Sequence, residues 1–448
     1  LPFSRILIAN RGEIALRIIR AAHELGMEAV AVFSTADADS KHVRAADRAV
    51  CIGPPAPAQS YLNIPRLIAA AEVCNVDAIH PGYGFLAENA HFADVCRSSN
   101  IEFIGPSVEA MNTLGDKVAC KQLAIASKVP TSPGSKGAVE DEGEALKMAK
   151  EIGYPVMVKA SAGGGGRGMR VAHNDGALRA GLKAASQEAE AAFGDGTVYL
   201  EKFIDNARHV EVQVIGDTQG SVCHLWERDC TMQRRKQKLI EEAPCPVLTR
   251  SEAEKLCLSA ARLAKAAKYH AAGTVEFLMD AKKNFYLMEV NTRVQVEHPV
   301  TEMVTGVDIV KTTIQVAQGD PLPFRQKDVK LSGHAIEVRI NAEDPERNFA
   351  PSAGLIQAFN PPGGLGVRLD THAHAGYRIP PHYDSMIGKL IVHRPDREQA
   401  IRALVTALRE FEIAPTKTTI PLHLRLMKNG NFRRSEVDIN FVERLLGM

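Results

Sequence analysis

The chain has 448 residues, 45% of them hydrophobic and 24% charged, with 34 glycines and 24 prolines; at about 150 residues per domain it has room for about two to four domains, which excludes a peptide or a single small module. Lysine plus arginine number 54 against 53 for aspartate plus glutamate, a net charge of +1. Bulk attraction to nucleic acid or to an anionic membrane is thereby disfavoured, and any bound anion must be held by a local cluster.

The eight cysteines (51, 74, 96, 120, 223, 230, 245 and 257) form no Cys-x-x-Cys pair, which argues against a zinc site or a disulfide framework and fits a reducing interior such as the cytosol. No window reaches the roughly 18 consecutive apolar residues of a membrane helix, since Glu72 and Asp77 interrupt even the alanine-rich stretch 67–79. No basic segment followed by an apolar one opens the chain, so no secretory signal is expected. A start at Leu1 rather than Met leaves room for a few residues or a larger context upstream.

In chain order, strands are predicted at 5–10, 28–34, 77–80 and 102–104, with a helix at 13–25 whose face is Ile14, Ala15, Ile18, Ile19, Ala22 and Leu25. This alternation predicts a doubly wound α/β unit. Its first turn, Asn10-Arg11-Gly12-Glu13, lacks Gly-x-Gly-x-x-Gly, which disfavours a nicotinamide dehydrogenase. From about Leu114 the pattern changes to helices, two short strands around a glycine run, and paired strands up to about Val304. The stretch 319–324 reads as a linker, and the region from about Leu331 carries a strand at 334–341 and a helix at 397–410.

The glycine run is Ser161-Ala162-Gly163-Gly164-Gly165-Gly166-Arg167-Gly168, between apolar segments at 156–160 and 169–172. It matches Gly-x-Gly-x-x-Gly only formally, because the second flank reads as a strand, and no Lys-Ser or Lys-Thr follows to make a Walker A loop. A glycine-rich hairpin fits, with amides free to close over phosphates and Lys159 as a nearby cation. A flexible linker would have polar flanks instead.

A second hairpin is predicted from 274–279 and 285–290. With Asp280 opposite Phe285 across the loop 281–284, position 278 pairs with 287 and Glu276 faces Glu289. Two carboxylates about 5 Å apart repel unless a cation lies between them, and hard oxygen ligands suit Mg²⁺ or Mn²⁺. Asn291 offers a third oxygen; a solvated charged face is the alternative. Continued as a strand, the segment puts Asn291, Arg293, Gln295 and Glu297 on one side, Val294 and Val296 on the other. A straight strand would spread Glu289 to Glu297 over about 26 Å, so it must bend if these groups act together. Residues 228–238 add Arg228, Arg234, Arg235, Lys236 and Lys238 without interleaved aromatics, a pattern open to a small anion.

Taken together, the residues resemble the biotin carboxylases, ATP-grasp enzymes that carboxylate biotin. The resemblance runs from Ile8-Ala9-Asn10-Arg11-Gly12-Glu13-Ile14-Ala15 through His80-Pro81-Gly82-Tyr83-Gly84-Phe85-Leu86, the glycine hairpin, Glu227-Arg228-Asp229-Cys230 and the segment Glu289 to Pro299. It ends at Tyr383-Asp384-Ser385-Met386-Ile387-Gly388-Lys389-Leu390. It implies an α/β and α+β multidomain fold: a Rossmann-like domain at 1–113, an ATP-grasp domain at 114–330 with a mobile glycine-rich lid at about 131–203, and a mixed α+β domain at 331–448.

The resemblance also implies the chemistry. ATP phosphorylates bicarbonate to carboxyphosphate, which breaks down to CO₂ and phosphate, and deprotonated biotin takes up the CO₂. By the same resemblance Lys117 and Lys159 contact phosphates beside Gly165 and Gly166. Glu201, Lys202, Phe203 and Ile204 form the adenine hinge, Leu278 and Ile439 flank the base, and His209, Gln233 and Lys236 contact the nucleotide. Lys236 stands where family members often have His. Glu276, Glu289 and Asn291 hold two magnesium or manganese ions, and Lys238, Arg293, Gln295 and the Val296 backbone hold bicarbonate. Glu297 is the expected general base, Arg339 stabilises the biotin enolate, and Tyr83 frames the biotin site.

Biotin acceptors of this family carry Met-Lys-Met, which this chain lacks. A biotin carboxyl carrier protein, either a separate chain or a segment not present here, is therefore expected, together with carboxyltransferase subunits and, by resemblance, a homodimer in the cytoplasm, with no nucleic-acid or membrane partner. Stand-alone acetyl-CoA carboxylase subunits commonly end near this point, which favours that parent and fatty acid synthesis; the biotin carboxylase part of another acyl-CoA or pyruvate carboxylase is the alternative. A carbamoyl-phosphate synthetase half would share the metal acids but need not keep Arg339 or the Tyr83 motif. A catalytically dead ATP-binding module would lose Glu297 or Lys238.

Overall fold

Parallel strands build the N-terminal region, as its alternation of apolar strand and amphipathic helix requires. The computed structural model describes residues 2–135, 137–139, 141–160 and 169–448. Strands β1 (Arg5–Ile8), β2 (Glu28–Ser34), β3 (Arg48–Gly53), β4 (Ala78–His80) and β5 (Glu102–Phe103) lie in the order β3-β2-β1-β4-β5, all parallel. Helix α1 (Gly12–Glu24) buries the predicted face, with Ile14, Ala15, Ile18, Ile19 and Ala22 in the core. Strand β3, absent from the sequence reading, is an edge strand in which only Ile52 is buried, so it carries no apolar alternation. The order reverses between β1 and β4, and the loops leaving their carboxyl ends carry Asn10 and Tyr83, at the crevice where open α/β sheets hold ligands.

The flanks of the glycine run form strands as predicted. β6 (Val156–Ala160) and β7 (Met169–Ala172) pair antiparallel, with Lys159 opposite Met169, and β8 (Val198–Lys202) completes a three-stranded sheet. Residues 161–168, which include Gly165 and Gly166, lie outside the described residues.

An eight-stranded sheet holds the rest together. It comprises β9 (Arg208–Gly216), β10 (Val222–Arg234), β11 (Gln237–Ala243), β12 (Ala271–Met279), β13 (Phe285–Asn291), β14 (His334–Asn341), β15 (Val367–Thr371) and β16 (Met386–Arg394), ordered β13-β12-β9-β10-β11-β14-β16-β15. It runs without a break across the expected boundary at 330, because β11 pairs with β14 from Ile240–Val338 to Ala243–Ala335. The helix Arg250–Ala266, started by a Thr249 and Glu252 capping box, packs on one face against Val210, Val212 and Val275. The helix Arg397–Glu410 sets Ile401, Leu404 and Leu408 against Ile336, Leu390 and Val392. Among the described residues no helix is long and apolar enough to cross a membrane.

Candidate active site

One cleft of about 1330 Å³ lies between these sheets, and every described residue given a role by the family resemblance lines it except Glu297, whereas Arg228 and Arg234 of the basic run do not. Glu297 has no exposed surface and sits behind Lys238 and Arg339, which bond to it.

The predicted hairpin forms, by a different register. Met279 pairs with Phe285 and Leu278 with Tyr286 rather than with Leu287, because Asp280 belongs to the turn: its Oδ1 accepts the Lys282 and Asn284 amides at 2.9 and 2.8 Å. A β-bulge at Met288 then adds one residue to β13 and restores Glu276 opposite Glu289. The two acids differ in surroundings. Burial alone would raise the Glu276 carboxyl, but Lys238 and His209 hold it well below the usual carboxylate range. Glu289 opens into the cleft and is pushed up, first by the partial loss of water between the cleft walls and then by the Glu276 charge. Opposed carboxylates beside an amide are a hard-oxygen donor set, so this hairpin fits a divalent cation.

Beyond Asn291 the chain bends instead of continuing as a strand, and a helix starts at His298. The expected alternation therefore breaks: Val294 is core while Val296 reaches the cleft. The bend gathers what a strand would have spread. Asn291 Nδ2 and Gln295 Nε2 donate to Glu276 Oε1 at 2.9 and 3.0 Å, and Arg293 donates to Gln295 and Asn291 at 2.9 and 3.1 Å.

Lys238 is the hub. Its Nζ donates to Glu211, Glu276 and Glu297 at 2.7, 2.9 and 2.5 Å, three carboxylates that hold the ammonium charged despite burial. Arg339 spans Glu241 at 2.7 Å and Glu297 at 3.0 Å. Burial would raise the Glu297 carboxyl, yet Lys238, Arg339 and Arg228 keep it well below the usual range, in the proton-accepting form.

At the other end of the cleft, Glu201 accepts from Lys121 at 3.1 Å and from Lys159. The Lys202 side chain instead ties down the carbonyls of Gly153 and Tyr154 at 2.8 and 3.0 Å. Lys236 rides the two-residue turn between β10 and β11, where Arg235 and Lys236 both have positive φ (47° and 65°), the geometry a tight hairpin demands. Its Nζ lies 3.7 Å from Met169 Sδ, across the cleft on β7. Gly82, with φ of 64°, leads into Tyr83; a Cβ there would meet Asn10 Nδ2 at 3.0 Å, and that amide holds the Pro81 and Tyr83 carbonyls at 2.7 Å each.

Sequence reasoning missed the layer behind these residues. Glu211 and Gln213 bind the fully buried Arg228 at 2.6 and 2.7 Å. Glu211 and Gln213 alternate with Val210, Val212 and Val214 along β9, on the face that also carries His209, so period 2 would have found them. Glu88, which takes Arg293 at 2.9 Å, and Glu241 come from distant segments and carry no such local signal.

Family models match nearly the whole chain: biotin carboxylase N-terminal domain over residues 2–111, carbamoyl-phosphate synthase L chain ATP binding domain over 116–325, and biotin carboxylase C-terminal domain over 337–444. The chain is 54% identical to a biotin carboxylase of Nostoc sp., covering 99% of this chain and 100% of that one. It is 50% identical to a pyruvate carboxylase subunit of Methanothermobacter thermautotrophicus, over 98% and 90%. The crystal structure of the biotin carboxylase-beta-gamma-ATP complex from Campylobacter jejuni superposes with a TM-score of 0.95 at 52% identity, covering 99% of both chains. An ATP-binding domain set between the two biotin carboxylase domains along a single cleft places the chain in the biotin carboxylase family, as an ATP-dependent carboxylase.

Proposed function

We propose that the chain uses ATP and bicarbonate to carboxylate biotin borne on a separate carrier protein, through carboxyphosphate, as the first half-reaction of acetyl-CoA carboxylase in fatty acid synthesis. The observation that carries this reading is Glu297, buried and ionised, with one oxygen on Lys238 and the other on Arg339, beside the opposed acids of the metal hairpin. Lys238, Arg293, Gln295 and the Val296 backbone hold bicarbonate, and Glu297 accepts its proton so that the oxygen attacks the γ-phosphate. Lys117 and Lys159 balance the phosphates, beside Gly165 and Gly166. Glu201, Lys202, Phe203, Ile204, His209, Gln233, Lys236, Leu278 and Ile439 hold the nucleoside. Glu276, Glu289 and Asn291 hold Mg²⁺ or Mn²⁺, which neutralises the charge that develops on the transferred phosphoryl group.

Released phosphate deprotonates biotin. Arg339, already a two-carboxylate clamp, stabilises the enolate by a charge-assisted hydrogen bond, and Tyr83 frames the ring. The three domains divide at 113 and 330. A biotin carboxyl carrier protein, carboxyltransferase subunits and a second copy of the chain are the partners, in a reducing cytoplasm that suits free cysteines. The 50% identity to a pyruvate carboxylase component supports the second reading, in which the same half-reaction serves another carboxylase.

Phosphate release measured with ATP, Mg²⁺, bicarbonate and free biotin, each omitted in turn, tests the proposal. Cleavage should require bicarbonate and Mg²⁺ and rise with biotin. ATP cleavage indifferent to bicarbonate overturns it.

A further inference from the structure

Two segments carry the family resemblance without a part in the reaction so far: the turn around Glu13 and the strand that carries Lys389. The structure brings them together. Glu13 opens α1 and Lys389 lies on β16, 4% and 0% exposed, with their charged ends 3.2 Å apart. The Tyr83 hydroxyl donates to the same Glu13 oxygen. Lys389 Nζ donates at 2.8 Å to the Val296 carbonyl and stands 6.0 Å from the centre of the Tyr83 ring. A contiguous polar chain thus runs beneath the cleft from Tyr83 through Glu13 and Lys389 to the backbone between Val296 and Glu297.

The other acids near Lys389 do not share this arrangement. Asp370 is taken by Arg368 at 2.9 and 2.7 Å, and neither oxygen of Glu337 has a hydrogen-bond partner among the described residues. The carbonyl that Lys389 holds belongs to the peptide leading into Glu297, the residue that starts the helix His298–Thr305 without a side-chain cap. A buried ion pair is by itself weak evidence for stability, because apolar replacements are often neutral. Here the pair ends on a backbone group of the site, which points to position rather than to stability.

We propose that Glu13 and Lys389 are a positioning pair that fixes the Val296–Glu297 peptide relative to Tyr83, so that a change at Tyr83 is felt at the bicarbonate end of the cleft. The proposal rests on the bicarbonate assignment above. The test is ATP cleavage by the full chain as a function of bicarbonate, with biotin absent, in the parent and in Tyr83→Phe, Glu13→Gln and Lys389→Met. Each variant should raise the KM for bicarbonate by about three- to tenfold, within the range of coupled neighbours, while the KM for ATP stays within about twofold of the parent. The double variant Tyr83→Phe/Glu13→Gln should be no worse than Glu13→Gln alone. Tyr83→Phe removes one oxygen and keeps the test open if Lys389→Met does not fold. A parent-like bicarbonate KM in both Tyr83→Phe and Glu13→Gln overturns the pair while leaving the proposed function standing; so does an equal rise in both KM values, which marks general loosening. A parent indifferent to bicarbonate overturns both proposals.

Discussion

Glu276 and Glu289 face each other on one hairpin, yet neutralising them should move stability in opposite directions. Two unit charges about 5 Å apart repel by about 3 kcal/mol at an effective dielectric of about 20. Solvent reaches Glu289 from the cleft, so screening reduces this to about 0.5–1 kcal/mol. Glu289→Gln removes that repulsion and should raise the metal-free melting midpoint on the order of 1 °C. Because burial and Glu276 raise the folded Glu289 carboxyl, the protonated form's share of stability is present at low pH and lost as pH rises through the folded value. Gln never loses it, so the gain opens as pH rises and closes in acid. Glu276 differs: it accepts Lys238 and Asn291 at 2.9 Å and Gln295 at 3.0 Å, with His209 3.1 Å away. Glu276→Gln should cost about 1–3 kcal/mol. Both variants should lower Mg²⁺-dependent turnover by about 10²-fold or more, and both should lose the rise in midpoint that added Mg²⁺ gives the parent. Melting curves in EDTA and across an Mg²⁺ titration, run beside phosphate release, decide the matter. Midpoint shifts of the same sign, or a parent-like Mg²⁺ titration in Glu289→Gln, would refute the reasoning.

Arg339→Ala should abolish carboxyl transfer to biotin while keeping much of the bicarbonate-dependent ATP cleavage, whereas Glu297→Gln should lose both by about 10² to 10⁴-fold; parallel assays of phosphate release and ¹⁴C fixation separate them, and equal losses in Arg339→Ala would contradict the division of roles. Glu242 is held down at about 2, against burial, by Arg397 and His334, with contacts of 2.6 and 2.8 Å. That depressed carboxyl contributes about 3 kcal/mol, present above the ordinary carboxylate range and lost as pH falls towards 2. Arg397→Met should therefore destabilise at pH 7 and converge on the parent in acid, as followed by denaturant midpoints; a pH-independent difference would count against it.

Local pattern made much of the site legible. The apolar flanks of the glycine run gave β6 and β7 to the residue, and α1 begins one residue before its predicted start. Like charges opposed on a hairpin announced the pairing of Glu276 with Glu289, because side-chain facing depends only on period and register. The register itself did not follow: Asp280 folds its carboxylate back onto the turn amides, and the Met288 bulge compensates.

Residues close in sequence, then, were decided by the chain itself, through strand period, helix face and the mutual repulsion of Glu276 and Glu289. Tertiary structure alone decided the rest. Lys238 meets Glu211, Glu276 and Glu297 because β11, β9, β12 and the bend after β13 converge; Arg339 reaches Glu241 only through the pairing of β11 with β14. Glu13 finds Lys389 across almost the full length of the chain. Such contacts have no period to betray them. A buried charge needs a partner that desolvation makes obligatory, and which segment supplies it depends on how the sheets pack.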